Sequence, residues 1–218
     1  MSSKTINIII IVLLAFTLIG ILMVYPKLPA TVPIHWNYNG EVDNYGPKST
    51  FWIIYLVIIV TNLLMVIISK IDPKKDNYKQ FRKSFDIFRL ILTLFLIIIL
   101  VITISVSLGN EKIDIKTIIP ALVGILFAII GNYMPKFKHN YTMGIKTPWT
   151  LASENVWYKT HRMAAPIWVI GGVLLALIPF VFHGILTVTF FIIIIAAIVL
   201  IPTIYSYVIF NQEKSEDK

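Results

Sequence analysis

Glu154 and His161 stand seven residues apart, close to two helical turns, so on a helix they share one face. A carboxylate and an imidazole so placed suit an acid and base pair, or two weak ligands of a metal ion. Neither chemistry is completed by the rest of the chain. An ordinary metal site takes three or four protein ligands. The 218 residues include no cysteine, and the other histidines, His35, His139 and His183, are scattered. Hydrolysis within a membrane needs a nucleophile with its base, paired aspartates or a His-Glu-x-x-His metal motif, and none of these occurs. The sequence therefore predicts no catalytic residue, no metal and no cofactor, and a protein that is not an enzyme. Glu154, His161 and Arg162 read more simply as a surface salt-bridge network.

These residues belong to the densest polar and aromatic stretch of the chain, Gly144 to Ala164, which also contains Lys146, Trp149, Trp157, Tyr158 and Lys159. The three rings fit two readings. They are suited to anchoring at a membrane interface, and aromatics with Arg are also the residues that most often anchor protein contacts.

Everything around that stretch is apolar. Hydrophobic residues make up 57% of the chain and charged ones 14%, about half the charged share of an average soluble domain. A helix needs about 20 apolar residues to cross a bilayer. Six stretches qualify: 5–25, 50–69, 87–108, 117–134, 163–182 and 185–210. The fourth is the weakest, being short and interrupted by Pro120, Gly124 and Gly131. The first has too long an apolar run and too large a flanking group, Tyr25-Pro26-Lys27, for a cleaved signal peptide, so it is expected to remain as an anchor. The predicted fold class is an all-α integral membrane protein with six transmembrane helices.

The net charge is +8, but its placement matters more than its total. With the N-terminus inside, all Lys and Arg fall on the cytoplasmic side except Lys27, Lys48, Lys112 and Lys116, as the positive-inside rule requires. Both termini are then cytoplasmic. Membrane topology accounts for the basic balance, so no direct nucleic-acid partner is implied. The segment Lys70 to Arg89 reads as a helical loop near anionic headgroups of the lipid bilayer. No charged residue falls well inside a span, which counts against an ion-coupled carrier. Asn62, Ser105, Ser107, Thr203 and Ser206 are read as interhelical hydrogen-bonding groups.

Two loops are long enough to fold. In the outer loop, 26–49, an alternating run from Ile34 to Tyr38 precedes Asn39-Gly40, and Glu41 to Tyr45 returns. Asn-Gly favours a tight hairpin turn with positive φ at both positions, so a small extracytoplasmic β-hairpin is expected. The inner loop, 135–162, is too long to lack structure. Thr147 with Pro148 in first position, and Ser153 with Glu154 behind it, supply two helix starts. Trp149, Val156, Trp157, Thr160 and Ala164 form one stripe, opposite Glu154, Asn155, Lys159 and Arg162. The spacing predicts a cytoplasmic amphipathic helix before the fifth span, its apolar face on the membrane surface.

Gly144-Ile145-Lys146-Thr147-Pro148-Trp149-Thr150-Leu151, Ser153-Glu154-Asn155-Val156-Trp157 and Thr160-His161-Arg162 closely resemble the signature of the SdpI family of bacterial membrane immunity proteins. Leu28-Pro29, Val32 to Asn37, Gly40, Asp43, Tyr45-Gly46 and Lys48 resemble the small N-terminal membrane domain that often precedes it. The resemblance covers about 8–59 and 118–198, with a variable middle. The domains are accordingly read as 1–70 for the N-terminal membrane domain, 71–113 for the basic loop and third span, 114–210 for the SdpI-like region and 211–218 for a polar tail.

The resemblance implies a multi-pass protein of a bacterial plasma membrane that protects its producer from a secreted toxic peptide. It implies a second role, in which the toxin-engaged protein holds a cytoplasmic winged-helix repressor at the membrane. On that basis His35, Trp36, Asn37, Asp43 and Tyr45 are the expected toxin-binding residues. Thr147, Pro148, Trp149, Thr150, Glu154, Trp157, His161 and Arg162 are the expected repressor dock. The alternative function is a membrane carrier or exporter of a small amphipathic molecule, whose mark would be a polar cavity reaching the midplane near Asn62.

Overall fold

The computed structural model describes residues 2–216. Met1 and the last two residues of the expected polar tail, Asp217 and Lys218, lie outside the described residues. The long apolar runs form α1 (Ser3–Val24), α2 (Thr50–Ile71), α3 (Tyr78–Ser107), α4 (Ile115–Tyr133), α6 (Glu154–Val181) and α7 (Ile185–Glu216). All six are long and apolar enough to cross a membrane. A five-residue helix, α5 (Pro148–Ala152), precedes α6. Two strands, β1 (Thr31–Trp36) and β2 (Val42–Pro47), pair antiparallel between α1 and α2.

The hairpin differs from its expected form in its turn. Gly40 has positive φ, but among the described residues no non-glycine does, so Asn39-Gly40 is not a two-residue turn. Asn37 to Glu41 make a wider loop instead. The Asn37 side chain organises it, accepting from the Asn39 and Glu41 N–H groups at 2.9 and 3.1 Å. A short Asn side chain satisfying its own backbone is a common substitute for a tight turn.

Helices α1, α2 and α3 share a core of Ile21, Leu28, Val32, Phe51, Ile58 and Leu100. Helices α4, α6 and α7 make a second group, with α3 and α4 joining the two. The glycines that weakened the fourth span as a sequence explain its packing. A Cβ at Gly124 would come 2.3 Å from the Ala176 nitrogen, and one at Gly172 would come 2.3 Å from the Ala128 nitrogen. Small residues let two backbones approach where lipid supplies no hydrophobic drive.

The polar groups inside the helices divide. Asn62 donates to Thr93 Oγ1 at 2.9 Å, joining α2 to α3, and Ser206 meets Thr147 across the α7 to α5 contact. Ser105, Ser107 and Thr203 instead bond carbonyls one turn back in their own helices. A hydroxyl one turn from a helix carbonyl needs no partner helix.

The expected headgroup loop, Lys70 to Arg89, is largely the start of α3, bent at Phe81, where φ is −122° and ψ 20°. Its carboxylates do not all face outward. Asp86 is fully buried, taking Arg82 Nε at 3.0 Å and Arg89 Nη1 at 3.3 Å. Arg89 also donates to Asn7 of α1 at 3.1 Å. Buried charges persist only when paired and hydrogen-bonded, and the Arg89 bond to Asn7 ties α1 to α3.

Candidate functional sites at the two ends of the bundle

The hairpin and the motif stretch lie at opposite ends of the helices. At the hairpin end, His35 Nδ1 and Asp43 Oδ1 are 2.5 Å apart on an exposed surface, and Asn37 Nδ2 donates to Glu41 Oε2 at 2.8 Å. Residues 34–38 roof a cavity of about 420 Å³. Its walls are Ile99 and Thr103 of α3, Lys116 and Ile119 of α4, and Thr187 and Phe191 of α7. That volume lies within the range of small-molecule pockets, about 300 to 1,000 Å³. Of the five residues expected to bind toxin, His35, Trp36 and Asn37 line this cavity. Asp43 reaches it only through His35, and Tyr45 stands exposed on β2. Lys116 was not singled out, because its place beneath the turn is tertiary: a Cβ on Gly40 would meet the Lys116 Cβ at 3.1 Å.

At the other end the chain caps itself. Thr147 Oγ1 accepts from the Thr150 N–H at 3.1 Å, while Thr150 Oγ1 accepts from the Thr147 N–H at 2.9 Å, a reciprocal cap with Pro148 at the first helical position. Ser153 then caps α6 by accepting from the Val156 N–H at 3.2 Å. Both helix starts read from the sequence are therefore used. Glu213 of α7 takes Ser153 Oγ at 2.8 Å and Asn155 Nδ2 beside it. Trp149 packs on Tyr207 of the same helix, ring centres 5.0 Å apart.

Val156, Trp157, Thr160 and Ala164 are buried in protein, and the chain's own 137–145 segment lies against Trp157. The Trp157 ring N–H donates to the Phe137 carbonyl at 2.9 Å. His161, 1% exposed, stacks on Trp157 with ring centres 4.1 Å apart. Its Nε2 accepts from the Ile145 N–H at 2.9 Å, so the proton sits on Nδ1, which donates to the Trp157 carbonyl at 2.8 Å. With both ring nitrogens so engaged, His161 is a structural strut. Glu154, at the exposed start of α6, does not share a site with it.

Gly144 explains the closeness. Its φ is +113°, and a Cβ there would come 2.3 Å from His161 Nε2 and 3.0 Å from the Trp157 ring.

A residue that sequence reading missed locks this segment in place. Asp72, in the turn between α2 and α3, accepts from Tyr78 OH (3.1 Å), the Tyr141 N–H (3.0 Å) and Thr142 Oγ1 (2.9 Å) at Oδ2, and from the Lys74 N–H (2.8 Å) at Oδ1. Burial pushes its carboxyl up, but these four hydrogen bonds outweigh that and hold it below the ordinary value. Asn140 continues the network, its Oδ1 accepting from the Thr142 and Met143 N–H groups at 2.9 and 2.7 Å. Only the Asp-Pro pair after a span hinted at a turn there; partners some seventy residues away leave no local signal. His139 is buried between Tyr141 and Trp157 with neither ring nitrogen hydrogen-bonded to protein, and burial, with Lys74 nearby, pushes its imidazole below the ordinary value.

Of the eight residues expected to dock a repressor, Thr147, Thr150, Trp157 and His161 are buried and Trp149 is half-buried. Pro148, Glu154 and Arg162 are exposed. Among the described residues, no group of three or more His, Asp or Glu side chains converges to hold a metal ion.

Comparison with known proteins agrees with the resemblance at both ends. Residues 136–206 match the SdpI/YfhL protein family, and residues 11–59 match a domain of unknown function, DUF1648. The chain is 29% identical over 201 residues to the Immunity protein SdpI of Bacillus subtilis (strain 168), covering 92% of this chain and 94% of that one. No solved structure matches. The chain thus has a region similar to the SdpI/YfhL family behind one that matches DUF1648, and it is a multi-pass plasma membrane protein.

Proposed function

We propose that this chain, a six-helix membrane protein with an SdpI-family region, protects its cell against a secreted toxic peptide. The observation that carries the reading is the similarity to an immunity protein along nearly the whole of both chains. In this reading the hairpin end is extracytoplasmic, and both termini and the motif end are cytoplasmic. The distribution of Lys and Arg supports that orientation. The toxin-contacting set is His35, Trp36 and Asn37 at the cavity, with Asp43 and Tyr45 on the neighbouring strand. No residue is assigned a catalytic part.

The second role is sequestration of a cytoplasmic winged-helix repressor. A partner docking at the motif end meets Pro148, Trp149, Glu154 and Arg162. Thr147, Thr150, Trp157 and His161 lie beneath and hold that surface in shape. A toxin at the hairpin end shifts the motif end by no more than its difference in affinity for two states of the bundle. Residues 1–70 and 114–210 are the two membrane domains, 71–113 the joint between them, and 211–216 a helical continuation of α7.

Expression in a sensitive strain challenged with candidate secreted peptides tests the first role; survival matching an empty vector for every peptide would overturn it. Arg162→Ala, exposed and outside the buried network, is expected to protect fully while losing membrane recruitment of a repressor. Full recruitment would remove Arg162 from the dock. The chain has no cysteine, which permits a direct check of orientation: Tyr45→Cys is expected to react with an impermeant maleimide in intact cells, and Lys159→Cys only after permeabilisation.

A further inference from the structure

We propose that the cavity beneath the hairpin binds an apolar peptide segment through its side chains and that Lys116 takes a carboxylate of that peptide; this rests on the immunity reading and names the mode of binding. Three observations converge. The cavity is walled mainly by Ile99, Ile119 and Phe191, which suits apolar groups leaving water. Its roof is β1, which has β2 on one side and no strand on the other. The irregularity between Pro33 and His35 leaves Ile34 without a partner in the ladder, and Ile34, His35 and Trp36 all line the cavity. A free strand edge offers backbone donors and acceptors to an extended peptide. A lipid chain has no backbone to pair with it.

Charge selects the sign. Two basic side chains line the cavity, His35 and Lys116. His35 is engaged by Asp43 at 2.5 Å, whereas Lys116 forms no ion pair among the described residues. Glu41 and Asp114 hydrogen-bond the Asn37 amide and the Thr117 hydroxyl, and neither comes within ion-pair distance of Lys116. A cationic group placed against Lys116 inside the cavity would be repelled by it. An anionic one gains a charge-assisted hydrogen bond at the rim of an apolar space.

The experiment places a photoreactive residue at Ile119 of the full-length protein in membranes. It offers two biotinylated peptides of one Leu- and Val-rich sequence, one ending in a free carboxylate and the other in an amide. A biotinylated fatty acid serves as the third probe. The carboxylate peptide is expected to crosslink about tenfold more than its amide twin, and Lys116→Glu to abolish or reverse that preference. Thr103→Trp, which fills the cavity, is expected to suppress both peptides. Equal crosslinking of the two peptides, or labelling by the fatty acid alone, would overturn the proposal, the latter marking a lipid site. Lys116 is exposed, so its variant reports on binding even if Thr103→Trp does not fold. A wild type that crosslinks the acidic peptide but protects against no secreted toxin would sink the immunity reading and leave the site standing. A wild type that protects, with both variants protecting equally well, would sink the site alone.

Discussion

The two ends of the bundle treat their polar residues in opposite ways. At the hairpin end, His35, Asp43, Glu41 and Tyr45 face outward around an open cavity, and their hydrogen bonds stay within one loop. At the motif end, Asp72, Asn140, Thr147 and His161 are buried and bond segments far apart in the chain. A ligand can reach the first arrangement without disturbing the fold, because little of the fold depends on it. The second is mostly internal wiring, and a partner meets only its outer skin. A dense cluster of polar and aromatic residues in a sequence is therefore as good a sign of a crowded internal joint as of a binding surface.

Substitutions that separate stability from function would break or sharpen this contrast. The largest effect is expected at Gly144→Ala, where a positive φ and contact with His161 coincide: a loss of about 3 kcal/mol or more, read by thermal unfolding in detergent. Unaltered unfolding would mean that the 137–145 segment is not clamped on α6. Asp72→Ala strands three donors from the far segment and Tyr78, with an expected cost of about 2 to 3 kcal/mol and faster proteolysis between 138 and 146. Retained protease resistance would show that Asn140 holds the loop unaided.

Trp157→Phe keeps an aromatic ring but loses the indole N–H to the Phe137 carbonyl and leaves a small cavity, for a loss of about 2 kcal/mol. At the hairpin end, Asp43→Asn weakens an exposed hydrogen bond to His35 and is expected to cost less than about 1 kcal/mol while reducing toxin protection. A stability loss as large as that at Asp72 would erase the distinction between the ends.

Acid should act on the motif end. Asp72 has a depressed value in the folded state, so its contribution is complete above the ordinary carboxyl value of 3.8 and is lost as pH falls through the lower folded value. His139 is also depressed, and as a base it begins to oppose folding once pH drops below 6.5, with the penalty growing until its folded value is passed. His139→Phe is expected to flatten the pH dependence of unfolding below 6.5; an unchanged slope would assign that dependence elsewhere.

Much of this was legible in residues alone. Apolar runs longer than a bilayer marked six helices, and Thr147-Pro148 and Ser153-Glu154 marked two helix starts that both occur. Asn39-Gly40 marked the hairpin but misled about its turn, because Asn37 offered the backbone another solution. Of the stripe expected at 149–164, Val156, Trp157, Thr160 and Ala164 are buried on α6, whereas Trp149 lies on α5 and packs on Tyr207; an apolar stripe looks the same whether protein or lipid covers it. Here the 137–145 segment covers Trp157, through Phe137 and Gly144. Gly124 and Gly131 read as weakness in a span because the helix that fits against them begins decades of residues later.

The sequence by itself determined that the chain is a helical membrane protein, where α5 and α6 begin and which loops carry polar groups. Each of these follows from spacing and composition within a few turns of chain. Tertiary structure alone decided which of those polar groups are accessible. Asp72 meets Tyr141 and Thr142, His161 meets Ile145, and Lys116 sits beneath Gly40. Burial and hydrogen-bond partnership are properties of residues brought together from different parts of the chain, and no local pattern encodes them.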